Sequence, residues 1–379
     1  MTLPLKDWEK ENDCKVNLTV IPWDKYEETY TTALNSGEGP DVGYMYNEMF
    51  PTYIDAGAVE DMSSYVTDED KKEYKYLSNG NMMDGQYGWP LVTGVPFVLY
   101  YNEDILNALG EKAPETWDDF ARICQEATKD TDGDGKVDQY GFACGMNTSD
   151  IGAMQILNAY YYSALWQNGG QVYNDDLKSV SFADEAGKEA VTWLKGLTSY
   201  MNEDFMSLSW SDAFSNVFGA GKAAFGITRS SQTDGTTFAE TYPDLNWNFV
   251  TSLKNKDFGT FGATDCLTLM SACEDKDLAM DFIKYVTGSE FMTAYHAKCP
   301  GAALTESEPY VGDEKMEKIY TEDKDKWHGI QAGPCGTQIL NQLAADFQGI
   351  MSGETSVDEG LKEAEDYANG LLDEYWANK

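Results

Sequence analysis

The chain has 379 residues, 42% hydrophobic and 13% aromatic, a globular composition large enough for two cores and too aromatic for disorder. Asp and Glu number 65 against 27 Lys and Arg, a formal charge of −38 that repels nucleic acid, anionic headgroups and polyanions and leaves neutral or cationic small ligands. No apolar run of about 18 residues spans a membrane. Met1 leads directly into Leu3-Pro4-Leu5-Lys6-Asp7-Trp8 with no signal-peptide pattern, so the sequence reads as cytoplasmic or already trimmed.

In chain order, Trp8 to Glu11 ends a helix, and the β-rich alternation Val16-Asn17-Leu18-Thr19-Val20-Ile21-Pro22 predicts a strand. Lys25 to Asn35 follows as a helix. Gly37 and Gly39 allow positive φ at its end, and Pro40 blocks its continuation. Asp41 to Met45 is the next strand. Ligands of open α/β sheets bind just past strand ends; here that position carries Tyr44, Tyr46, Asn47 and Glu48. Flat rings to stack on, with an amide and a carboxylate for hydroxyls, suit a sugar.

Phe97 to Tyr101 is a strand stopped by Asn102-Glu103-Asp104. Lys112-Ala113-Pro114-Glu115 reads as a crossing between domains. Thr116 then caps a helix with Asp119, and Trp117, Phe120, Ile123, Cys124 and Ala127 form its core stripe. Helices are predicted over 153–167, 186–200 and 212–218, then a short buried strand over Ala223–Ile227. Thr260-Phe261-Gly262-Ala263 crosses back. Helices over 277–287 and 289–297 and an amphipathic tail helix over 356–377 complete an α/β chain with much parallel pairing.

The sharpest local motif is Asp130-Thr131-Asp132-Gly133-Asp134-Gly135-Lys136-Val137-Asp138. Asp130, Asp132 and Asp134 occupy positions 1, 3 and 5 of a calcium loop, Lys136 offers a carbonyl and Asp138 a carboxylate, but position 12 is Gly141 instead of glutamate. The segment reads either as a structural Ca2+ loop or as an Asx-turn loop without a cation. Seven scattered cysteines show no zinc spacing and read mostly as reduced core residues. Trp23 after Ile21-Pro22, Trp89 before Pro90 and Trp210 at a helix start stand outside the core stripes and are candidate stacking residues. Arg229-Ser230-Ser231-Gln232 follows the buried strand, which makes Arg229 and Ser231 candidate ligand contacts. GxSxG, Walker A and HExxH are absent.

Six segments resemble bacterial extracellular solute-binding proteins of the maltose-binding type, the capture subunits of ABC sugar importers. They are Gly37 to Met62, Tyr100 to Leu106, Pro114 to Phe120, Phe218 to Phe225, Ala279 to Thr287 and Ser352 to Leu361, in the family's order along nearly the whole chain. The resemblance implies a periplasmic-binding-protein-like fold: two α/β lobes, a multi-segment hinge and a cleft between the lobes that closes on its ligand. Lobe 1 is expected over 1–111 and 262–300, apparently without its first strand, and lobe 2 over 112–261 and 301–379. It implies a neutral oligosaccharide as ligand, delivery to an ABC permease, no catalysis, a monomer, and an extracellular location by lipid anchoring to a Gram-positive cell membrane. The alternatives are a carbohydrate-active enzyme with paired carboxylates, or a binder of cationic amino-sugar or peptide ligands.

By position, the resemblance places Glu27, Tyr46, Asn47 and Glu48 in the cleft, with Trp89 and Trp210 beside it. Some relatives carry calcium at an Asp-rich loop like 130–139. The maltose binder's acid–arginine pair is Glu48-Met49 here, and its cleft tryptophans fall at Met45, Ser231 and Leu340. The likeness therefore extends to the fold and not to maltose.

Overall fold

A computed structural model describes residues 5–22, 25–37, 39–83, 85–93, 96–148, 153–230, 241–299, 301–311 and 314–379. The chain divides into two compact units: unit 1 comprises Met1–Gly94 and Ala263–Gly312, and unit 2 comprises Val95–Gly262 and Asp313–Lys379.

In unit 1, Thr264–Leu269 is the central strand of a three-stranded sheet, flanked by Val42–Tyr46 and Trp89–Thr93. Both pairings are antiparallel, with Val42 opposite Leu269 and Trp89 opposite Leu267. Helices Lys276–Thr287 and Ser289–His296 supply Met280, Ile283, Val286 and Met292 to a core closed by Leu267, Leu269, Leu304 and Trp89. Antiparallel strands need no crossover helix, so the expected parallel pairing is corrected here.

Unit 2 holds a four-stranded sheet in the order Tyr140–Ala143, Ala223–Arg229, Phe97–Asn102, Trp247–Val250. Only its first pair is parallel. The Trp117–Ala127 helix begins with the capping box read from sequence: Thr116 accepts from Asp119 N–H, and Asp119 accepts from Thr116 N–H. The tail helix Val357–Ala377 begins the same way at Ser356 and Glu359, and buries Leu361, Ala364, Ala368 and Leu372.

Two boundaries differ from expectation by more than one residue. The first lies at Gly94/Val95 instead of 111/112, because Phe97–Asn102 pairs on both sides with strands of unit 2. The last lies at Gly312/Asp313 instead of 300/301. Ala302 N–H donates to Thr93 O at 3.2 Å and Glu306 N–H to Glu73 O at 2.8 Å, which ties that segment to unit 1.

The predicted strand Val16–Pro22 is also corrected. No strand pairs with it among the described residues, and Leu18 and Val20 are 83% and 81% exposed. β-propensity needs a neighbouring ladder to become a strand. No helix among the described residues is long and apolar enough to cross a membrane. None of the seven cysteines is bonded to another, and Cys124, Cys144, Cys266 and Cys273 are buried.

Candidate functional site

Unit 1 gathers its polar and aromatic candidates at the end of the Val42–Tyr46 strand. The strand alternates, with Gly43 and Met45 buried and Val42, Tyr44 and Tyr46 half-buried on the other face. Helix Tyr26–Ser36 ends at Gly37, whose φ of 72° closes it as the sequence requires. Its tyrosines pack against the strand: Tyr26 lies 4.9 Å from Tyr30, 6.4 Å from Tyr44 and 6.0 Å from Tyr46 between ring centroids. Gly43 permits this approach, because a Cβ there would stand 2.9 Å from the Tyr30 hydroxyl.

The tyrosine hydroxyls are committed to the strand. Tyr44 N–H donates to Tyr30 Oη at 2.8 Å, and the Tyr26 hydroxyl donates to Tyr44 O. The Tyr44 hydroxyl donates to an Asp265 carboxylate oxygen. Burial, then the neighbouring Asp265 charge, pushes the Tyr44 phenol far above its ordinary range. Burial and the adjacent Tyr30 do the same for Tyr26, so both remain protonated donors.

Asp265 was not among the sequence candidates. It enters because Tyr46 and Asp265 are paired across the sheet. The available signal was an aspartate inside the strand Thr264-Asp265-Cys266-Leu267-Thr268-Leu269, where a carboxylate without a partner is costly.

Asn47 and Glu48 follow in a short 3-10 turn, half-buried beside buried Met49. Asn47 Oδ1 is buried and has no hydrogen-bond partner among the described residues. An unsatisfied buried acceptor costs about 1–3 kcal/mol, and a donor supplied by a ligand would recover it.

Trp89 takes a different role from the one predicted. It is fully buried, 5.0 Å edge-on from Tyr74, and stands in the hydrophobic core of unit 1. The Trp-Pro pair looked like a turn, but Pro90 sits in an edge strand opposite Cys266, where proline is tolerated. The ring fills the core and offers no face to a ligand.

In unit 2, Trp210 and Arg229 are brought together. Phe97 and Arg229 are cross-strand partners, and the Arg229 guanidinium lies 5.4 Å from the Phe97 ring centroid and 5.6 Å from that of Trp210. Arg229 Nη2 donates to Gln155 Oε1 at 2.9 Å. Trp210 is only 4% exposed, so the predicted sugar-stacking face is covered. Ser209 caps its helix, accepting from Asp212 N–H at 3.1 Å. The Trp210 Nε1–H is buried without an acceptor among the described residues.

Glu27 lies on the Tyr26–Ser36 helix, but its side chain, like all of Trp23 and Ser231, lies outside the described residues. Ser230, beside Ser231, shares a hydrogen bond with the Tyr320 hydroxyl at 2.9 Å.

The acidic loop brings three of its candidates together. Asp130, Asp132 and Asp138 each place a carboxylate oxygen within 4.8 Å of the others. Gly133 and Gly135 N–H groups donate to Asp130 at 2.6 and 2.8 Å, and these backbone bonds hold its pKa below the ordinary carboxylate range. Asp134 instead accepts from Lys136 N–H at 2.8 Å and stands outside the trio.

Residues 5–309 match the family described as bacterial extracellular solute-binding protein. A binding protein of Brucella abortus (strain 2308) is 25% identical over 328 residues, covering 82% of this chain and 72% of its own. An ABC substrate-binding protein from Listeria monocytogenes, solved in complex with cycloalternan, is similar at TM-score 0.77 and 20% identity, over 97% of this chain and 94% of that one. The sugar-binding protein MalE of Xanthomonas citri aligns at TM-score 0.79 and 18% identity, over 98% and 93%. The fold is thus periplasmic-binding-protein-like, as the resemblance implied, and the chain belongs to the bacterial extracellular solute-binding protein family.

Proposed function

We propose that this protein captures a neutral oligosaccharide outside the cell and delivers it to an ABC import permease without chemically altering it. The observation that carries the reading is the grouping of half-buried Tyr44 and Tyr46 with Asn47 and Asp265 in unit 1, backed by the buried Tyr26 ring. Phenol rings suit the C–H faces of a sugar, while a carboxylate and an amide oxygen accept its hydroxyl protons. The net charge of −38 favours a neutral ligand over an anionic one. The Listeria relative's bound cycloalternan and the sugar-binding description of the Xanthomonas relative support the same ligand class. A monomeric, lipid-anchored protein at a Gram-positive cell surface fits this role. Incubation with a bound oligosaccharide should return it intact by chromatography; release of shorter sugars would favour the paired-carboxylate enzyme instead.

We also propose a structural Ca2+ on Asp130, Asp132 and Asp138. Carboxylate oxygens within 4.8 Å of one another fit a cation that takes oxygens at about 2.3–2.6 Å. Water would complete the shell, because Asp134 stands outside the trio. Millimolar Ca2+ should raise the melting temperature and EDTA should reverse the rise, by mass action on the folded state. A melting temperature indifferent to both would leave the loop as an Asx-turn connection.

A further inference from the structure

Val16–Pro22 is the most exposed apolar stretch among the described residues. Leu18 and Val20 are 83% and 81% exposed, whereas the next large hydrophobic side chains, Met83 and Tyr367, are each 42% exposed. The two ends of the stretch are held. Val16 N–H donates to Glu9 Oε1 at 3.0 Å, and Pro22 O accepts from Lys25 N–H at 3.0 Å. Between them, from Asn17 to Ile21, no backbone N–H or C=O takes part in a hydrogen bond among the described residues. The segment thus sets apolar side chains in water beside a row of unpaired backbone donors and acceptors, the surface to which a further strand adds.

Its own chemistry selects the occupant. Val16 to Pro22 carries no ionisable side chain, while the whole chain carries −38. Two copies repel one another, and they meet with least repulsion where neither presents charge. The alternation is also self-complementary. As a strand, Val16, Leu18 and Val20 share one face, and Asn17, Thr19 and Ile21 share the other. Antiparallel pairing of two copies with Thr19 opposite Thr19 sets Leu18 opposite Val20 on both sides of the centre. It also supplies the ladder that this β-rich segment lacks within its own chain. We propose that Val16–Ile21 is a homotypic contact, which pairs with the same segment of a second copy of this chain in a reversible two-fold dimer. Two short strands bury less than a standard protein interface, and a two-stranded ribbon alone is marginal. The dimer is therefore a weak state of high protein concentration, in equilibrium with the monomer that captures ligand.

Sedimentation equilibrium of the full chain, over about a hundredfold range of concentration reaching about 1 mM, tests the pairing. The weight-average mass should rise from one chain toward two. Added salt should strengthen the rise by screening the charge between copies. Leu18→Asp combined with Val20→Asp sets carboxylates directly opposite one another across the pair and should raise the dimer Kd at least about tenfold. The double variant should keep the wild-type melting temperature at low concentration, because both side chains stand in water. Leu18→Val, which keeps an apolar β-former, should change the dimer Kd by less than about threefold. Tyr367→Asp, a charge added at another exposed position, should leave it unchanged within the same limit. A mass of one chain at every concentration overturns the proposal. So does a dimer that survives in the double variant, growth beyond two copies, or equal loss of association in Tyr367→Asp. None of these outcomes bears on saccharide capture, which is read by titration at concentrations where the chain is monomeric.

Discussion

Trp89→Ala is expected to destabilise the protein by about 3–5 kcal/mol, read as a lower urea midpoint for unit 1. The ring is fully buried among Tyr74, Leu267, Met280 and Leu304, and its deletion removes both transfer energy and packing contacts. The Lys284 ammonium lies 5.2 Å from the Trp89 ring centroid and also pairs with Asp70 at 2.6 Å, so the cavity would disturb a partly buried ion pair as well. A tryptophan that lined a ligand site would behave oppositely: its removal would cost affinity and little stability. A loss below about 1 kcal/mol would therefore contradict the core assignment.

Asn47→Ala should separate stability from binding in the other direction. Asn47 Oδ1 is buried without a donor among the described residues, so removing it should leave stability unchanged or slightly raised. If a sugar hydroxyl supplies the missing donor, the same change should weaken binding by about 1–3 kcal/mol, roughly 5- to 150-fold. Glu48→Ala, one residue along the same turn, should weaken binding by more than about 1 kcal/mol. Paired thermal melts and titrations check both. Wild-type affinity in Asn47→Ala would remove this turn from the binding site.

Local chemistry was the most legible part of the sequence. The cap at Thr116 and Asp119, the cap at Ser356 and Glu359, and the helix stop at Gly37 each depend on residues within a few positions of one another. The tail helix likewise follows from its own periodicity. What the sequence hid was pairing at long range. Val16–Pro22 has strand composition, but composition cannot supply a neighbouring ladder. Phe97–Asn102 belongs to unit 2 because of strands more than a hundred residues later, which no local boundary signal at Lys112–Glu115 could reveal.

The candidate site divides in the same way. Tyr46, Asn47 and Glu48 were legible because a strand end is marked by its own glycine turn and alternation. Asp265 was not, since its meaning comes from standing opposite Tyr46 and receiving the Tyr44 hydroxyl. Trp210, at a helix start, suggested an open stacking face, but packing against Phe97 and Arg229 covers it. Of the acidic motif, Asp130, Asp132 and Asp138 lie together. The motif could not show that Asp134 would stand outside that trio.

Capture of a saccharide without turnover is tested most simply by direct titration against a panel of oligosaccharides. Saturable binding of at least one member is expected, weakened by Asn47→Ala and Glu48→Ala, with the sugar recovered intact. Absence of binding across the panel, or accumulation of cleaved product, would contradict it.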